Sequence, residues 1–265
     1  MNRSTTEVKD DFSINGFVYL PGFLSAEELK AVNGHLDQLI REIVPSMQPE
    51  EAFYEDPADP STLKQIQSLY SHSSHFHEMM FGSRFEALAS LLLDDKVVGR
   101  NMQYFNKPPR IGNPTPPHQD GYYFMLEPNE AVTMWLGLDD VDEENGCVRY
   151  VRGSHLDGMR THGSTQVLGF SQGISDYGTS GDLDREVWFR TGPGDLLVHH
   201  SLTIHRADGN RSLDRTRRAL GFIYYAEKAK EDAERRRAYR EKLAKDIRRA
   251  GNDDPAPINA AGKSL

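Results

Sequence analysis

The run DLLVHHSLTIH, residues 195–205, decides the fold class because it belongs to a series of six short strand-like runs from residue 97 onward. The others are VVGRNMQYF (97–105), AVTMWLGLDDV (131–141), CVRYVRGS (147–154), EVWFRT (186–191) and RALGFIYY (218–225). Clusters of Gly, Pro, Asn and Asp separate these runs at roughly hairpin intervals. The pattern predicts a mainly β fold, either an antiparallel barrel or a jelly roll.

Helices are expected to flank this β region. Ser25 and Glu28 form a capping-box pattern, and apolar residues then recur at helical spacing as far as about Val44. Residues 45–62 are rich in proline and acidic residues, which predicts a loop. We expect helical structure from residue 62 to about residue 93.

A single domain over residues 1–250 is predicted, since no Pro/Gly/Ser linker divides the chain into two self-sufficient halves. Residues 156–186 form a long, polar, Gly- and Ser-rich insertion, which we interpret as a lid because long ordered loops are commonly functional. Residues 226–250 are rich in Ala, Glu, Lys and Arg and predict a C-terminal helix. Residues 251–265 predict a disordered tail.

Composition narrows the class of partner. The formal net charge of -9 and the pI of about 5.6 argue against nucleic acid and anionic membranes, which bind basic surfaces. Cys147 is the only cysteine, so no disulfide framework is expected, which fits a reducing compartment. The chain has no apolar stretch approaching the roughly 18 residues of a membrane span. We therefore expect a cytoplasmic protein with a small-molecule partner, while an acyl-carrier partner stays open.

The segment TPPHQD, residues 115–120, is a candidate metal motif. In a strand the side chains of residues i and i+2 point the same way, so His118 and Asp120 can share one face. A third ligand can come from His199, His200 or His205. Two histidines and one carboxylate on one face of a metal leave open positions, as in non-haem Fe(II) oxygenases. The alternative is an ordinary hydrogen-bonded surface pair of His and Asp.

Three segments together resemble the phytanoyl-CoA dioxygenase family of Fe(II)- and 2-oxoglutarate-dependent oxygenases. They are INGFVYLPGFLSAEEL (14–29), TPPHQD (115–120) and HRADGNRSLDRTRRAL (205–220), and the similarity extends over about residues 12–225. The resemblance implies a double-stranded β-helix core, which is a cupin-like jelly roll. It also implies Fe(II), 2-oxoglutarate as co-substrate and O2, with hydroxylation of an aliphatic C–H bond and release of succinate and CO2.

The resemblance carries the metal site over to three residues. His118, Asp120 and His205 match the iron ligands, which are also the catalytic residues of the family. His205 is preferred over His199 and His200 because it alone stands five residues before Asn210. The other two histidines are expected to line the barrel or to support the ligands without binding the metal. An intact aspartate at position 120 favours hydroxylation, since related halogenases have a small residue there.

Four further residues match positions that contact the co-substrate. Arg217 resembles the arginine that binds the distal carboxylate of 2-oxoglutarate, and a guanidinium fork suits a carboxylate on physical grounds. Its neighbours Arg211, Arg215 and Arg218 are rivals. Weaker matches that complete the predicted cofactor-binding set are Lys64, Gln103 and Trp135. Lys64 could equally be an exposed helix lysine, and Trp135 an ordinary core aromatic.

The chain departs from the family pattern after the distal histidine. Arg206, Ala207 and Asp208 stand where the family often has Gly-Ser-Gly, so a serine contact to the co-substrate is missing. Two other functions compete with the oxygenase interpretation. One is a jelly-roll protein that binds metal or ligand without catalysis, and the other is a cupin-type metal-dependent isomerase or hydrolase. We expect a small polar metabolite or natural-product intermediate as substrate.

Overall fold

A computed structural model of the chain describes residues 3–167, 170–238 and 241. The helices are α1 (Thr5–Asn15), α2 (Ala26–Glu42), α3 (Leu69–His72), α4 (Ser74–Met80), α5 (Arg84–Leu93), α6 (Asp120–Phe124) and α7 (Ser180–Leu183). The strands are β1 (Phe17–Leu20), β2 (Ala52–Tyr54), β3 (Leu63–Ile66), β4 (Val97–Lys107), β5 (Thr115–His118), β6 (Leu126–Glu127), β7 (Ala131–Gly137), β8 (Val148–Val151), β9 (His162–Val167), β10 (Phe170–Ile174), β11 (Glu186–Trp188), β12 (Leu196–His200), β13 (His205–Ala207), β14 (Arg217–Ala226) and β15 (Lys230–Glu231). Within these residues, no helix is long and apolar enough to cross a membrane.

Two antiparallel sheets form the core. The larger sheet has the strand order β1-β12-β7-β14-β4-β3-β2, and the smaller one has the order β11-β8-β13-β5. Side chains of both sheets share one apolar cluster, in which Trp135 and Leu197 of the larger sheet meet Val148 and Tyr150 of the smaller one. The predicted jelly roll with flanking helices is therefore confirmed.

Successive side chains of a strand point to opposite faces of the sheet, so one strand can contribute both to the core under the helices and to the space between the sheets. On β14, Leu220 and Phe222 pack into the apolar cluster under the helices. The alternate residues Arg217 and Gly221 line a cavity between the two sheets. Gly221 is needed there, because a Cβ atom at this position would lie 2.6 Å from the Phe105 ring on β4.

The helices cover the outer face of the larger sheet. Helix α2 begins where the capping box predicts, since the Ser25 hydroxyl accepts from the Glu28 N–H and the Glu28 carboxylate accepts from the Ser25 N–H. Helix α5 packs its Phe85 ring flat on Phe222 of β14, with ring centroids 4.2 Å apart. These contacts close the main hydrophobic core and leave the opposite face of the sheet free to build a cavity.

The expectation of helix from residue 62 was wrong at its start. Residues 63–66 form strand β3, which pairs with β4 at Gln65 opposite Phe105 and Ile66 opposite Tyr104. The expected loop of residues 45–62 also contains strand β2. Cross-strand pairing overrides the weak helical preference of such a short run. This correction matters for the site, because it places Lys64 on a strand at the cavity.

The insertion and the C-terminal segment also differ in detail from the predictions. Residues 156–186 are largely regular structure, with the antiparallel hairpin β9–β10 followed by α7. The predicted helix of residues 226–250 begins late, because Ala226 ends β14 and Lys230–Glu231 pair with β6. Residues 233–238 are helical. The tail predicted for residues 251–265 lies outside the described residues.

Truncation of Phe222 to alanine is expected to destabilise the protein by about 3–5 kcal/mol, because this ring is fully buried and stacks on Phe85. Urea unfolding followed by circular dichroism measures the change. Ile14→Ala is the matched control, since its side chain is 65% exposed and its loss should change the free energy of unfolding by about 0.5 kcal/mol or less. Equal effects of the two substitutions would contradict the packing described above.

Candidate metal centre

Three side chains from distant parts of the chain converge at one point. Strand β13 pairs with β5 so that His205 stands opposite His118. The carboxylate oxygen Oδ1 of Asp120 lies 3.4 Å from Nε2 of His118 and 3.7 Å from Nε2 of His205. One ligand atom of each residue lies within 4.8 Å of the others, which is close enough to hold a single metal ion.

The expected geometry of the His-x-Asp pair needs one correction. Strand β5 ends at His118, and Asp120 is the first residue of the short helix α6. The two side chains therefore do not share a strand face. They meet because the chain turns after His118 and brings the first residue of α6 back toward β13.

Backbone carbonyls fix the tautomers of both histidines. Nδ1 of His118 lies 2.8 Å from the Pro116 carbonyl oxygen, and Nδ1 of His205 lies 3.0 Å from that of Thr203. Because a carbonyl oxygen only accepts, each Nδ1 carries a proton, and Nε2 is the nitrogen that each ring can offer to a metal. Burial and the nearby His118 and His199 rings hold the pKa of His205 well below its ordinary value. His205 is therefore neutral, as a metal ligand must be.

The carboxylate of Asp120 is oriented by two donors. Its Oδ2 accepts from the Thr133 hydroxyl at 2.6 Å and from Nε2 of His199 at 3.2 Å. Burial acts to raise the pKa of Asp120, but the surrounding histidines His205, His118 and His199 outweigh it and hold that pKa well below its usual range. Asp120 is thus ionised, and Oδ1 remains directed at the two histidines.

The other two candidate histidines have different surroundings. His199 donates to Asp120 through Nε2, so its Nδ1 accepts from the hydroxyl of the fully buried Tyr150 at 3.2 Å. His200 lies away from the cluster, where its Nδ1 accepts from the Leu202 N–H. Of the three candidate histidines, His205 is thus the one that lies with His118 and Asp120. It is also the one that the five-residue spacing to Asn210 indicated.

The cavity beside the cluster contains every predicted cofactor-binding residue. It has a volume of about 210 Å³ and lies between the two sheets. Besides His118, Asp120 and His205, its walls include Lys64, Gln103, Trp135 and Arg217. Lys64 is paired with Glu55 at 3.2 Å, so it is not the exposed helix lysine that the sequence left open. Trp135 contributes both to the core and to the cavity wall.

Arg217 differs from its neighbouring arginines. Arg215 is paired with Asp142 at 2.9 Å, and Arg218 is paired with Asp139 at 2.8 Å. Arg217 is only 5% exposed, and its guanidinium lies 5.5 Å from the centre of the Trp135 ring. Burial lowers the pKa of Arg217 to about 10, so the group stays cationic at neutral pH. The arginine that faces the cavity is therefore available to an anionic ligand.

The fold and the cluster together define a class of protein. Two neutral imidazole nitrogens and one ionised carboxylate suit a divalent iron ion, and the absence of a thiolate disfavours a structural zinc site. The three donors come from one side, while the cavity occupies the other. A jelly roll with this arrangement is typical of mononuclear non-haem metal oxygenases.

Comparison with known proteins agrees with that class. The family model described as phytanoyl-CoA dioxygenase (PhyH) matches residues 12–219, which is most of the chain. The chain therefore belongs to the phytanoyl-CoA dioxygenase family, whose members are 2-oxoglutarate-dependent non-haem iron oxygenases. A relative from Bos taurus, phytanoyl-CoA dioxygenase domain-containing protein 1, is 28% identical over 253 residues, covering 80% of this chain and 86% of the relative.

Solved structures share the fold. The epimerase SnoN, in complex with Fe3+, alpha ketoglutarate and nogalamycin RO, superposes with a TM-score of 0.69 at 23% identity, covering 85% of this chain and 84% of SnoN. EctD from S. alaskensis, with 2-oxoglutarate and 5-hydroxyectoine, also gives 0.69 at 18% identity, covering 85% and 78% of the two chains. Family membership favours the oxygenase interpretation over a non-catalytic binding protein or a cupin-type isomerase.

Sequence reasoning missed one residue that supports the ligands and left another open. Thr133 lies in an apolar run and was not considered, yet its hydroxyl binds the Asp120 carboxylate. His199, which was expected to line the barrel or to support the ligands, binds the same carboxylate. The alternation of β7 could have indicated Thr133 as a polar residue on the inward face. His162 lies in the polar insertion, yet it is buried and stacks on Tyr122 with ring centroids 4.3 Å apart.

Replacing Thr133 with valine is expected to weaken metal binding by about 10- to 100-fold, because the carboxylate loses its shorter orienting hydrogen bond. Competition with a chromophoric chelator measures the dissociation constant. Thr191→Val is the matched control, since the Thr191 hydroxyl is buried and makes no hydrogen bond within the described part of the chain. An unchanged metal affinity in Thr133→Val would show that Asp120 needs no such support.

Proposed function

We propose that this protein is an Fe(II)- and 2-oxoglutarate-dependent dioxygenase that hydroxylates an aliphatic C–H bond of a small-molecule substrate. The observation that carries the proposal is the convergence of His118, Asp120 and His205 on a cavity that also holds a buried arginine. The reaction converts 2-oxoglutarate, O2 and substrate into succinate, CO2 and hydroxylated product. Iron bound at the cluster would supply the oxidation of the substrate C–H bond.

The metal ligands in this proposal are His118, Asp120 and His205, which are also the catalytic residues. Nε2 of each histidine and Oδ1 of the aspartate are the donor atoms, because their other polar atoms are hydrogen bonded to the protein. Three donors on one side leave the cavity side of the metal for 2-oxoglutarate and O2. The hydrogen bonds of His118, His205 and Asp120 orient these side chains before a metal binds.

Four residues are proposed to bind the co-substrate. Arg217 offers a planar fork of N–H donors to the distal carboxylate, a role that a lysine could not reproduce with the same geometry. Trp135 holds the guanidinium in place from one side. Lys64 and Gln103 come from the adjacent strands β3 and β4 and bring polar groups to the same cavity.

The remaining cavity wall supports a partly apolar substrate. Phe53, Tyr123, Phe124 and Ile223 contribute apolar surface there, and Gln65 and Gln67 add amides. Hydroxylation is favoured by the aspartate at position 120, which occupies the coordination position that a halide would need. SnoN is described as an epimerase, so hydrogen abstraction without oxygen transfer is the second candidate outcome. Incorporation of one ¹⁸O atom from labelled O2 into the product distinguishes hydroxylation from epimerisation.

Residues 156–186 are proposed to act as a lid. The hairpin β9–β10 lies against β5 and α6. The hydroxyl of Tyr123 on α6 donates to the Gln172 carbonyl at 2.6 Å. The Gln119 N–H also donates to Nε2 of His162 at 3.2 Å. The lid thus contacts the segment that carries His118 and Asp120, where it can limit access of water to the site. The acidic charge and single cysteine support a cytoplasmic location.

Anaerobic addition of 2-oxoglutarate to the Fe(II) protein is expected to produce a visible metal-to-ligand absorption band. Wild-type protein should hold about one iron per chain, while His118→Ala and Asp120→Ala should hold almost none because each loses a donor of the site. His200→Ala is the matched control, since this histidine lies on β12 but away from the cluster. Full iron occupancy in His118→Ala would refute the ligand assignment.

Trypsin cleavage after Arg160 and Arg185 is expected to slow several-fold when Fe(II) and 2-oxoglutarate are added without O2. Both arginines lie in the insertion, and closure would protect their peptide bonds. Mass spectrometry of the fragments follows each site. Cleavage after Lys30, on the exposed surface of α2, serves as the internal control and should keep its rate. Unchanged cleavage of the insertion would count against the lid.

A further inference from the structure

Two cationic side chains lie next to each other in the wall of the cavity. In the antiparallel pairing of β14 with β4, Arg217 and Lys107 are direct cross-strand partners. They are 5% and 4% exposed, and both line the cavity. The sequence motifs drew attention to Arg217, whereas Lys107 entered none of the expectations above.

Within the described residues neither side chain of this pair has a carboxylate in direct contact, although the charges of Glu55 and Asp208 act on Lys107 from farther away. In residues 3–167, 170–238 and 241, no carboxylate oxygen lies within salt-bridge distance of Lys107 or Arg217. Burial, with the charges of Arg217 and Lys64, holds the pKa of Lys107 well below its ordinary value. Two neighbouring buried cations are costly unless an anion joins them. The arrangement therefore calls for a negatively charged ligand.

Both side chains have donors left for such a ligand. The Arg217 Nε is buried and has no hydrogen-bond partner within the described residues. The Lys107 ammonium donates to the Asn113 carbonyl and to the Thr115 hydroxyl, and an ammonium has three protons. Ala207 lines the same cavity and offers no polar side-chain atom.

The stem of Lys107 lies where a glycine leaves space for it. A Cβ atom at position 146 would lie 3.2 Å from Cδ of Lys107 and 2.4 Å from the Asp208 carbonyl oxygen. Gly146 has a φ of 92°, a backbone conformation that side chains rarely adopt. The side chain of Lys107 is thus packed against the protein at the cavity and does not extend along the surface.

We propose that Lys107 is a second cationic ligand for the distal carboxylate of 2-oxoglutarate, which it binds jointly with Arg217. This inference rests on the proposed function and adds a residue to it. Arg217 supplies the planar fork, and Lys107 supplies a point charge from the neighbouring strand. The missing hydroxyl at Ala207 is replaced, in this chain, by an ammonium donor.

The test compares two 2-oxo acids of equal length. Fe(II) protein without O2 is titrated with 2-oxoglutarate and with 2-oxopentanoate, which has a methyl group in place of the distal carboxylate, and the visible band reports binding. Lys107→Met is expected to weaken 2-oxoglutarate binding by on the order of 10- to 100-fold, as for loss of a charged hydrogen bond. Binding of 2-oxopentanoate should stay close to wild type.

Three further variants make the comparison specific. Arg217→Met should show the same selective loss, and Lys107→Arg should retain most of the preference for 2-oxoglutarate. Lys30→Met removes an exposed lysine of α2 and should behave as wild type. If Lys107→Met does not fold, as judged by its melting curve, the ratio of the two affinities is measured with Lys107→Gln instead. Glutamine removes the charge and keeps a donor toward the Asn113 carbonyl.

The possible results distinguish failure of the Lys107 role from failure of the proposed oxygenase function. An unchanged ratio of the two affinities in the Lys107 variants, with a normal band in wild type, overturns the role of Lys107 alone. Equal weakening of both 2-oxo acids also overturns it, because Lys107 would then only hold the segment around Asn113. Absence of any band in wild type overturns the proposed function and this inference together.

Discussion

The pairing of β13 with β5 is the contact on which the rest of the site depends. It places His205 opposite His118, although the two residues lie far apart in the sequence. A strand has a side-chain period of two, so a slip of one residue would turn either imidazole out of the cavity. The large sheet, the helices behind it and the buried core stabilise this one register. Metal binding is thus a property of the whole fold rather than of a short motif.

The wall of the cavity carries charge of both signs. The ionised Asp120 lies with His118 and His205, and Arg217 lies beside Lys107. Burial lowers the effective dielectric constant, so each group acts more strongly on a ligand than it would in water. A dianionic molecule with a chelating head and a carboxylate tail matches this combination of groups. The fold therefore prepares both contacts before any ligand arrives.

Much of this could be predicted from the sequence, but for unequal reasons. The strand runs and their spacing indicated an antiparallel barrel or a jelly roll, and the family resemblance implied the jelly roll. The motif residues His118, Asp120 and His205 lie together as expected. The choice of Arg217 over its neighbours came from the family resemblance, because the strand register that decides between them cannot be known from the sequence. Lys64 was harder to place, because a four-residue strand with a helix-like composition is decided by its partner strand and not by its own residues. Contacts such as Thr133 to Asp120 depend on strand register, which no local pattern encodes.

The docking of the hairpin β9–β10 has a mechanical consequence for the metal centre. Its hydrogen bonds reach Gln119 and Tyr123, which stand before and after Asp120 in the sequence. The short α6 turn is therefore held from outside by the hairpin and from inside by Thr133. A shift of the hairpin would therefore also move the turn that aims the carboxylate. Under the proposed lid role of the hairpin, enclosing a bound molecule and aligning the proposed iron ligand are parts of one linked movement.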